Sequence, residues 1–529
     1  MLDSHTGLLK TLHGIFLDVD KRAERSSAEV LSATFVDSAP LYDILSTRNN
    51  QIIYGRRGTG KTHALRYLQR EVEKSGQIAI YADLRNIGSN GSIYGDPSRT
   101  IAERAGVLVR DVFQILLDSF YPIAVAALDE APDPTQITTR IDDFASAISE
   151  IKVVGSVERE ASDESSEKVA RGATIQTLTL PTHGLSASAS SSREAAKSHS
   201  VRMKETGTEV LHINFGRVAT SLSGLLQVLG GARVWLLLDE WSEVPLELQP
   251  YLADLVRRTI LPERLLTVKI AAIEHRSQFS IRKSRGEYIG VELGADIAAD
   301  LNLDDFLVFE SDQGKALAFF KQLLFKHVKA SEHDTSTISS PDSLVQKLFT
   351  PTPVYEEFVR AVEGVPRDAL NLMTKLVGRA WGQKISVHDV RRAARDWYSQ
   401  DKARDVNDNP SLGAFLNHVV DEVIAQRKAK AFLVRSNARL EEIDELFDAR
   451  ILHILKKNVS SHDQPGVRYD VYKIDYGCYV ELINTASSPE GLLEDEDGFV
   501  DVPKDDYRSI RRAILDVESY RTAVSQPPQ

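Results

Sequence analysis

Residues 55–62 read Gly-Arg-Arg-Gly-Thr-Gly-Lys-Thr. Every fixed position of the phosphate-binding pattern G-x-x-x-x-G-K-[ST] is filled. The glycines let the backbone curl so that successive N–H groups converge on phosphate oxygens. Lys61 can reach β- and γ-phosphates, and the Thr62 hydroxyl can ligate Mg²⁺. Gly55, Arg56, Arg57, Gly58, Thr59, Gly60, Lys61, Thr62 and His63 therefore form the candidate nucleotide-binding segment. A second unit lies at 234–240, Val-Trp-Leu-Leu-Leu-Asp-Glu. An apolar strand ending in two acids is the partner such a loop needs. Asp239 would hold the metal with its water shell, and Glu240 would polarise an attacking water.

These groups need a frame. Gln51-Ile52-Ile53-Tyr54 suits a buried strand before the loop. After it, Ala64, Leu65, Leu68 and Val72 recur at helical spacing, which would set the phosphate on a helix N-terminus. Further strands are expected at 78–84, 210–215, 234–240 and 266–273, with helices at 99–120, 136–151, up to about 228, and 247–260. That alternation predicts an α/β fold, a parallel sheet with flanking helices. From 312 the pattern is helical, with Ala316, Phe320, Leu323 and Leu324 on one stripe and a second helix near 353–363. Asp405 to Pro410 punctuates a boundary. Beyond it come a helix (412–427), a strand (431–435), a helix (440–457) and strands at 468–474 and 477–484, an order compatible with a winged helix.

The expected organisation is a lead-in at 1–50, a core at 51–311, a helical lid at 312–405 and a winged-helix-like region at 411–529. Phe35-Val36-Asp37 and Leu41 to Leu45 should pack beside the nucleotide pocket. Residues 155–208 contain no Phe, Trp or Tyr and include Ser-Ala-Ser-Ala-Ser-Ser-Ser at 186–192. Such composition buries too little apolar surface to offset chain entropy, so a disordered insertion is expected there.

The two phosphate motifs together resemble those of AAA+ and STAND-type ATPases. More narrowly, the chain is similar to bacterial relatives of origin-recognition-complex ATPases. Asp239-Glu240-Trp241-Ser242, with Val244-Pro245 and Gln249-Pro250, looks like a local signature of that group. The resemblance implies ATP and Mg²⁺ as cofactors. It places sensor 1 at Glu274-His275-Arg276, with Glu274 or His275 in the role. It places sensor 2 at Gly364-Val365-Pro366-Arg367, whose Arg367 reaches back to the γ-phosphate. Arg276, Arg282 and Arg285 are the arginine-finger candidates. Lys61 and Asp239 stand 178 positions apart, more than a compact core needs, so an insertion must be accommodated. The implied function is an ATP-hydrolysing switch, of a kind often found in mobile-element or anti-phage defence loci. The alternative is a nucleotide-dependent scaffold with little turnover that recruits a separate effector. Homo-oligomers are a further partner class.

At 529 residues the chain is too long for one core. A net charge of −12 argues against nonspecific coating of nucleic acid. Arg427, Lys428, Lys430, Arg435 and Arg439 nonetheless fall within thirteen residues free of acids, a candidate DNA contact in the C-terminal region. The single cysteine, Cys478, excludes an intramolecular disulfide and points to a reducing cytoplasm. No signal peptide is expected, and apolar runs such as Val234 to Leu238 are too short to span a bilayer. The histidines show no metal-ligand spacing, and no G-x-S-x-G elbow occurs. Asp304 and Asp305 read as helix-capping acids, and the acid-rich stretch from Glu490 to Asp506 as a solvated tail.

Overall fold

A computed structural model describes residues 2–38, 40–86, 96, 98–128, 133–150, 152–154, 158–161, 203–206, 210–212, 214–282, 286–308, 312–426, 429, 431–438, 440–460, 465–484, 514–517 and 520–521. They fall into two compact units: Met1–Asn86 with Gly231–Gln529, and Ile87–Gly230.

In the first unit, β1 (Gln51–Tyr54), β2 (Ile78–Asp83), β3 (Val234–Asp239), β4 (Leu266–Ala272) and β5 (Ala298–Asn302) form one parallel sheet, ordered β5-β1-β4-β3-β2. β1, β3 and β4 are buried at every position. Strands covered on both faces read as unbroken apolar runs, which is why the sequence located them. The register sets Asp83 beside Asp239 and Tyr54 beside Ala272, so the C-terminal strand ends share one edge. Ligands of open α/β sheets sit at that edge. β4 lies between β1 and β3, which leaves about 10 Å between the ends that carry the phosphate loop and the paired acids.

The lead-in is not a free-standing segment. Its helix α1 (Leu2–Asp18) sends Leu12, Ile15 and Phe16 into the core of the helical region, against Phe320, Leu324, Phe358 and Met373. A second helix, α2 (Ala28–Thr34), follows. Phe35, Leu41 and Leu45 pack with Ala64, Leu65 and Leu68 of α3 (Lys61–Lys74) and with Trp235 and Leu237 of β3. The helical region itself comprises α4 (Gln313–Lys329), Pro341–Leu348, α5 (Thr352–Ala361), α6 (Pro366–Arg379) and α7 (Val387–Trp397). Asn409 caps the next helix, α8 (Pro410–Val419), so the boundary expected at 405–410 falls between two helices.

The C-terminal region differs from expectation. The helix predicted over 440–457 is short, α9 (Glu441–Asp448), and strand β7 (Leu452–Ser460) follows it. The strand predicted at 477–484 is a helix, α10 (Tyr476–Asn484), started by Asp475, whose carboxylate accepts from Gly477 and Cys478 N–H. With β6 (Ala431–Arg435) and β8 (Arg468–Ile474) the sheet is antiparallel, ordered β6-β8-β7. Lys456 and Lys457 misled the sequence reading, because β7 runs half-exposed from there on. Between β6 and β7 the described residues hold one helix, not the helix-turn-helix pair of a DNA reader.

The second unit is inserted between β2 and β3 and accounts for the long spacing from Lys61 to Asp239. It holds helices Ile101–Leu128, Pro134–Ser149 and Phe215–Val228, with Phe113 edge-on to Phe144. Lys152–Val154 pairs with Val210–His212, and Glu158–Ala161 pairs with Met203–Thr206. The expected structureless insertion therefore carries a ladder at both ends, while 162–202 lie outside the described residues. Among the described residues one helix, Ile101–Leu128, is long and apolar enough to cross a membrane by length and composition. The expectation from uninterrupted runs missed it because its acids and arginines break the run. Its face of Leu108, Val112, Phe113, Leu116 and Phe120 is buried within the protein, while Ile101, Tyr121 and Val125 stand exposed.

Lys269 is fully buried in β4 and donates only to neutral oxygens, Asn49 O at 3.0 Å and Gln51 Oε1 at 3.2 Å. Burial lowers its pKa to about 7. In the unfolded chain the amine titrates near ~10.4. Between those values the unfolded state binds one proton more, so stability rises with pH by up to about 1.4 kcal/mol per unit. Denaturant titrations of wild type and Lys269→Met at pH 7, 8 and 9 should show this rise in wild type and lose it in the variant.

Candidate nucleotide-binding site

The phosphate loop begins where Gly55 N–H donates to Ala272 O (3.2 Å), which ties it to the end of β4. Gly58 and Gly60 take φ of 94° and 99°, the left-handed region open to glycine. Gly60 is the N-cap of α3, so that helix presents its first amides to the loop. Lys61 is buried, and its ammonium rests on the loop's own carbonyls, Gly55 O at 2.6 Å and Arg56 O at 3.2 Å. Burial pulls its pKa below the usual lysine value, while Glu240 and Asp239 pull it back. An incoming anion of high charge density would replace those carbonyls as its partner.

Asp239 is fully buried. One carboxylate oxygen accepts from Tyr81 Oη (2.6 Å) and the other from Glu240 N–H (2.8 Å). Arg66 lies 3.4 Å above the Tyr81 ring and holds that phenol in place. Glu240 has φ of 55°, a strained turn that sets its side chain off the strand axis. Burial raises its pKa, with Asp239 adding to the effect, while Lys61 and Arg85 oppose it. Arg85 stands 3.8 Å from Glu240 and is itself held by Asp83 (2.6 Å) and Glu24 (3.1 Å).

Lys61, Thr62, His63, Arg57, Gly58, Gly60, Glu240 and Arg367 line one cavity of about 300 Å³. Asp239 lies behind Glu240 and outside that lining. Arg367, in the first turn of α6, donates its N–H to Gly58 O (3.2 Å). The remaining walls come from Asp20–Glu24, Ser26, Leu31, Thr34, Arg85, Glu243, Leu323, His327, Pro366 and Leu370. Burial holds His327 down to about 4 and lowers His63, whose Nε2 lies 2.7 Å from Leu31 O. The lining thus combines charged groups with apolar side chains and neutral imidazoles. That combination fits a molecule with a polyanionic tail and a flat aromatic head. The donor types also fit Mg²⁺, with the Thr62 hydroxyl in the lining and the Asp239 carboxylate outside it.

Several assigned residues stand elsewhere. Thr59 Oγ1 donates to Arg56 O, while Arg57 stays in the cavity wall and pairs there with Glu243, another lining residue. Arg56 turns inward and is 4% exposed. Its N–H and Nε each donate to Asp304 at 2.8 Å. Asp304 is therefore no capping acid. Asn302 does the capping, by accepting from Asp304 N–H. None of the sensor 1 candidates lines the cavity. Glu274 accepts from Lys457 (2.6 Å) and Asn302 (3.2 Å), His275 lies 3.2 Å from Asp444, and Arg276 pairs with Asp448 at 2.5 Å. Arg282 sits in the short strand Ser280–Arg282, and Arg285 lies outside the described residues. Of the basic run, Arg427, Lys428, Lys430 and Arg439 lie outside the described residues, and Arg435 is exposed at the end of β6. The neighbouring helix α9 carries Glu441, Glu442, Asp444, Glu445 and Asp448, a charge that repels phosphate.

Sequence reasoning missed Asp20–Glu24, Ser26, Arg85, His327 and the inward turn of Arg56. Only Arg85 left a signal, a basic residue two positions past a strand end on the active edge.

The sheet order, the loop and the paired acids define a P-loop protein of the AAA+ type. Residues 19–89 match the family model described as ORC-CDC6-like, and this stretch runs from the cavity wall at Asp20 through the phosphate loop to Arg85. In its phosphate-loop segment the chain is ORC-like. No curated protein matches it. Among solved structures, a Walker-type ATPase of Pyrococcus abyssi matches at 14% identity and a TM-score of 0.35, over 88% of this chain and 99% of that one. The Aeropyrum pernix ORC1 protein in complex with DNA matches at 14% identity and a TM-score of 0.30, over 89% and 96%. At these scores neither likeness bears on mechanism.

A Cβ on Gly58 would come within 3.0 Å of both Arg367 Cβ and Val365 Cγ1. Gly58→Ala should therefore unseat the start of α6 and add left-handed strain of about 1–2 kcal/mol. The expected result is an unfolding free energy lowered by that amount or more in denaturant titration, with new protease sensitivity near residues 363–368.

Proposed function

We propose that this chain is an ATP-driven molecular switch that binds ATP with Mg²⁺ and hydrolyses it. The observation that carries the reading is the convergence of Lys61, Thr62, Glu240 and Arg367 on one cavity at the C-terminal edge of the sheet. The triphosphate would lie along the loop, with N–H groups and Lys61 neutralising its β- and γ-oxygens. Thr62 and Asp239 would hold Mg²⁺, which supplies charge neutralisation at the transferring phosphoryl group. Glu240 would take the proton of the attacking water. Arg367 would stabilise the γ-phosphate, and because it starts α6 it would tie the helical lid to nucleotide state. The base would sit against Leu31, Leu323, His327 and Leu370.

One observation favours a second reading, a scaffold that binds nucleotide with little turnover. Arg85 stands beside Glu240, and a paired carboxylate polarises water less. Multiple-turnover phosphate release separates the two. An effector protein, a homo-oligomer, DNA contacted by the basic run at 427–439, and a defence or mobile-element role are partners and a setting proposed on the family resemblance.

Lys61→Ala should weaken ATP binding tenfold to a hundredfold, since a charge-assisted contact contributes roughly 1.5–3 kcal/mol. Calorimetric titration measures it, and unchanged affinity would overturn the site. Glu240→Gln should keep ATP affinity but stop phosphate release. Because the Glu240 pKa is raised, wild-type turnover should fall on acidification at a pH above the ordinary glutamate range. A wild-type rate in Glu240→Gln would assign the base elsewhere.

A further inference from the structure

We propose that Arg56 is a positioning residue that makes the shape of the phosphate loop depend on how the C-terminal region is seated. Its effect on turnover rests on the ATP reading above; the coupling itself does not.

Arg56 occupies a variable position of the loop, where side chains have no assigned task in phosphate binding. Its neighbour Arg57 stays half-exposed in the cavity wall and pairs with Glu243. Arg56 instead drives its guanidinium inward. Beyond Asp304, Nη1 donates to Leu452 O at 3.1 Å and Nη2 to Glu363 O at 3.5 Å. The guanidinium carbon lies 4.7 Å from the centre of the Phe447 ring. One side chain thus joins the end of the main sheet, the turn before α6, and the α9–β7 turn of the C-terminal region.

The main chain of the same residue holds the chemistry. Arg56 O accepts from Lys61 Nζ (3.2 Å), Thr59 Oγ1 (2.9 Å) and Thr59 N–H (3.4 Å). Displacing the side chain therefore rotates a carbonyl that fixes the phosphate-binding lysine. The same C-terminal turn also grips the second cavity element. Arg450 pairs with buried Asp368, the residue after Arg367. Glu363, at φ of 51°, is held by Lys473 of β8 at 3.1 Å. Segment 447–452 thus bears on both the loop and the helix that carry the cavity's cations.

Around Arg56 the junction is built from buried ion pairs and hydrogen bonds, while apolar contact lies elsewhere, where Tyr476 and Val480 of α10 enter the core of the helical region. Such pairs add little net stability when made, and they cost heavily when half-broken. Arginine is required at position 56 because a fork of five donors can serve a carboxylate and two carbonyls together. Lysine retains the charge for Asp304 but cannot span the other partners.

The test is hydrogen exchange on the full nucleotide-free chain, comparing wild type, Phe447→Leu, Arg56→Lys and the double variant. Phe447→Leu should raise exchange across residues 55–62 about tenfold, an effect within the range for coupled neighbours. In the Arg56→Lys background the same change should add nothing, while exchange in β3 stays at the wild-type rate throughout. Unchanged exchange at 55–62 in Phe447→Leu, or equal increments in both backgrounds, would overturn the proposal. Should Phe447→Leu not fold, Arg450→Gln loosens the same turn from its partly exposed side, with the same two outcomes. ATP titration of wild type judges the site reading separately. Absence of binding would remove the ATP site and leave the exchange result to decide the coupling. With binding, Phe447→Leu should weaken ATP about tenfold in wild type and not in Arg56→Lys.

Discussion

A guanidinium that is 4% exposed must be neutralised inside the fold, and much of this structure follows from how Arg56 achieves that. Asp304 accepts from both its main-chain and side-chain nitrogens, which pins the first turn of the phosphate loop to the end of β5. The loop then has one direction in which to curl. Gly58 passes beneath Val365 and Arg367 with no room for a Cβ, and Gly60 opens α3 toward the cavity. Gly364 shows the same economy of space, since a Cβ there would lie 2.7 Å from Leu307 O. Close backbone approach at these two glycines is what lets helices from the region after residue 312 wall a cavity that begins at residue 55.

The site is a set of charges waiting on a polyanion. Lys61 sits on carbonyls, Asp239 on a phenol and an amide, and Glu240 near Arg85, so each of these three charges has a polar partner without nucleotide. Buried ions left unpaired would be far more costly than the strain at Glu240. A pocket satisfied in this way stays folded while empty, and each partner is one that a phosphate, a cation or a water can replace.

Two kinds of packing divide the first unit. The main sheet and the helical region close on dense apolar clusters, and those bodies are rigid. The junction with the C-terminal region adds Arg276–Asp448, Lys457–Glu274, Arg450–Asp368 and Lys473–Glu363 to the Arg56 contacts. The residues expected to act as sensor 1 are consumed there. Glu274, His275 and Arg276 leave the sheet at the active edge but turn to α9 and β7 instead of the cavity.

Much of the core was legible in the chain. Strands buried on both faces are written as continuous apolar runs, so β1, β3 and β4 stood out, and the partly buried edge strand β2 was still apolar enough to be placed. The phosphate loop has a backbone requirement that only glycines at fixed spacing meet, and Asp239-Glu240 ends the most apolar run of all. Arg367 was reachable through its Gly-Val-Pro-Arg setting. What the sequence could not say is which way a side chain turns. Arg56 and Arg57 are adjacent and identical, yet one is buried across three elements and the other is solvated. Asp304 looked like a cap until a residue 248 positions away claimed it. The half-exposed β7 carries too little alternation to be told from a helix, and only pairing with β8 settles it. Local pattern determines elements because it is set by neighbours in the chain. Partners of buried charges are set by neighbours in space, and only the tertiary structure decides them.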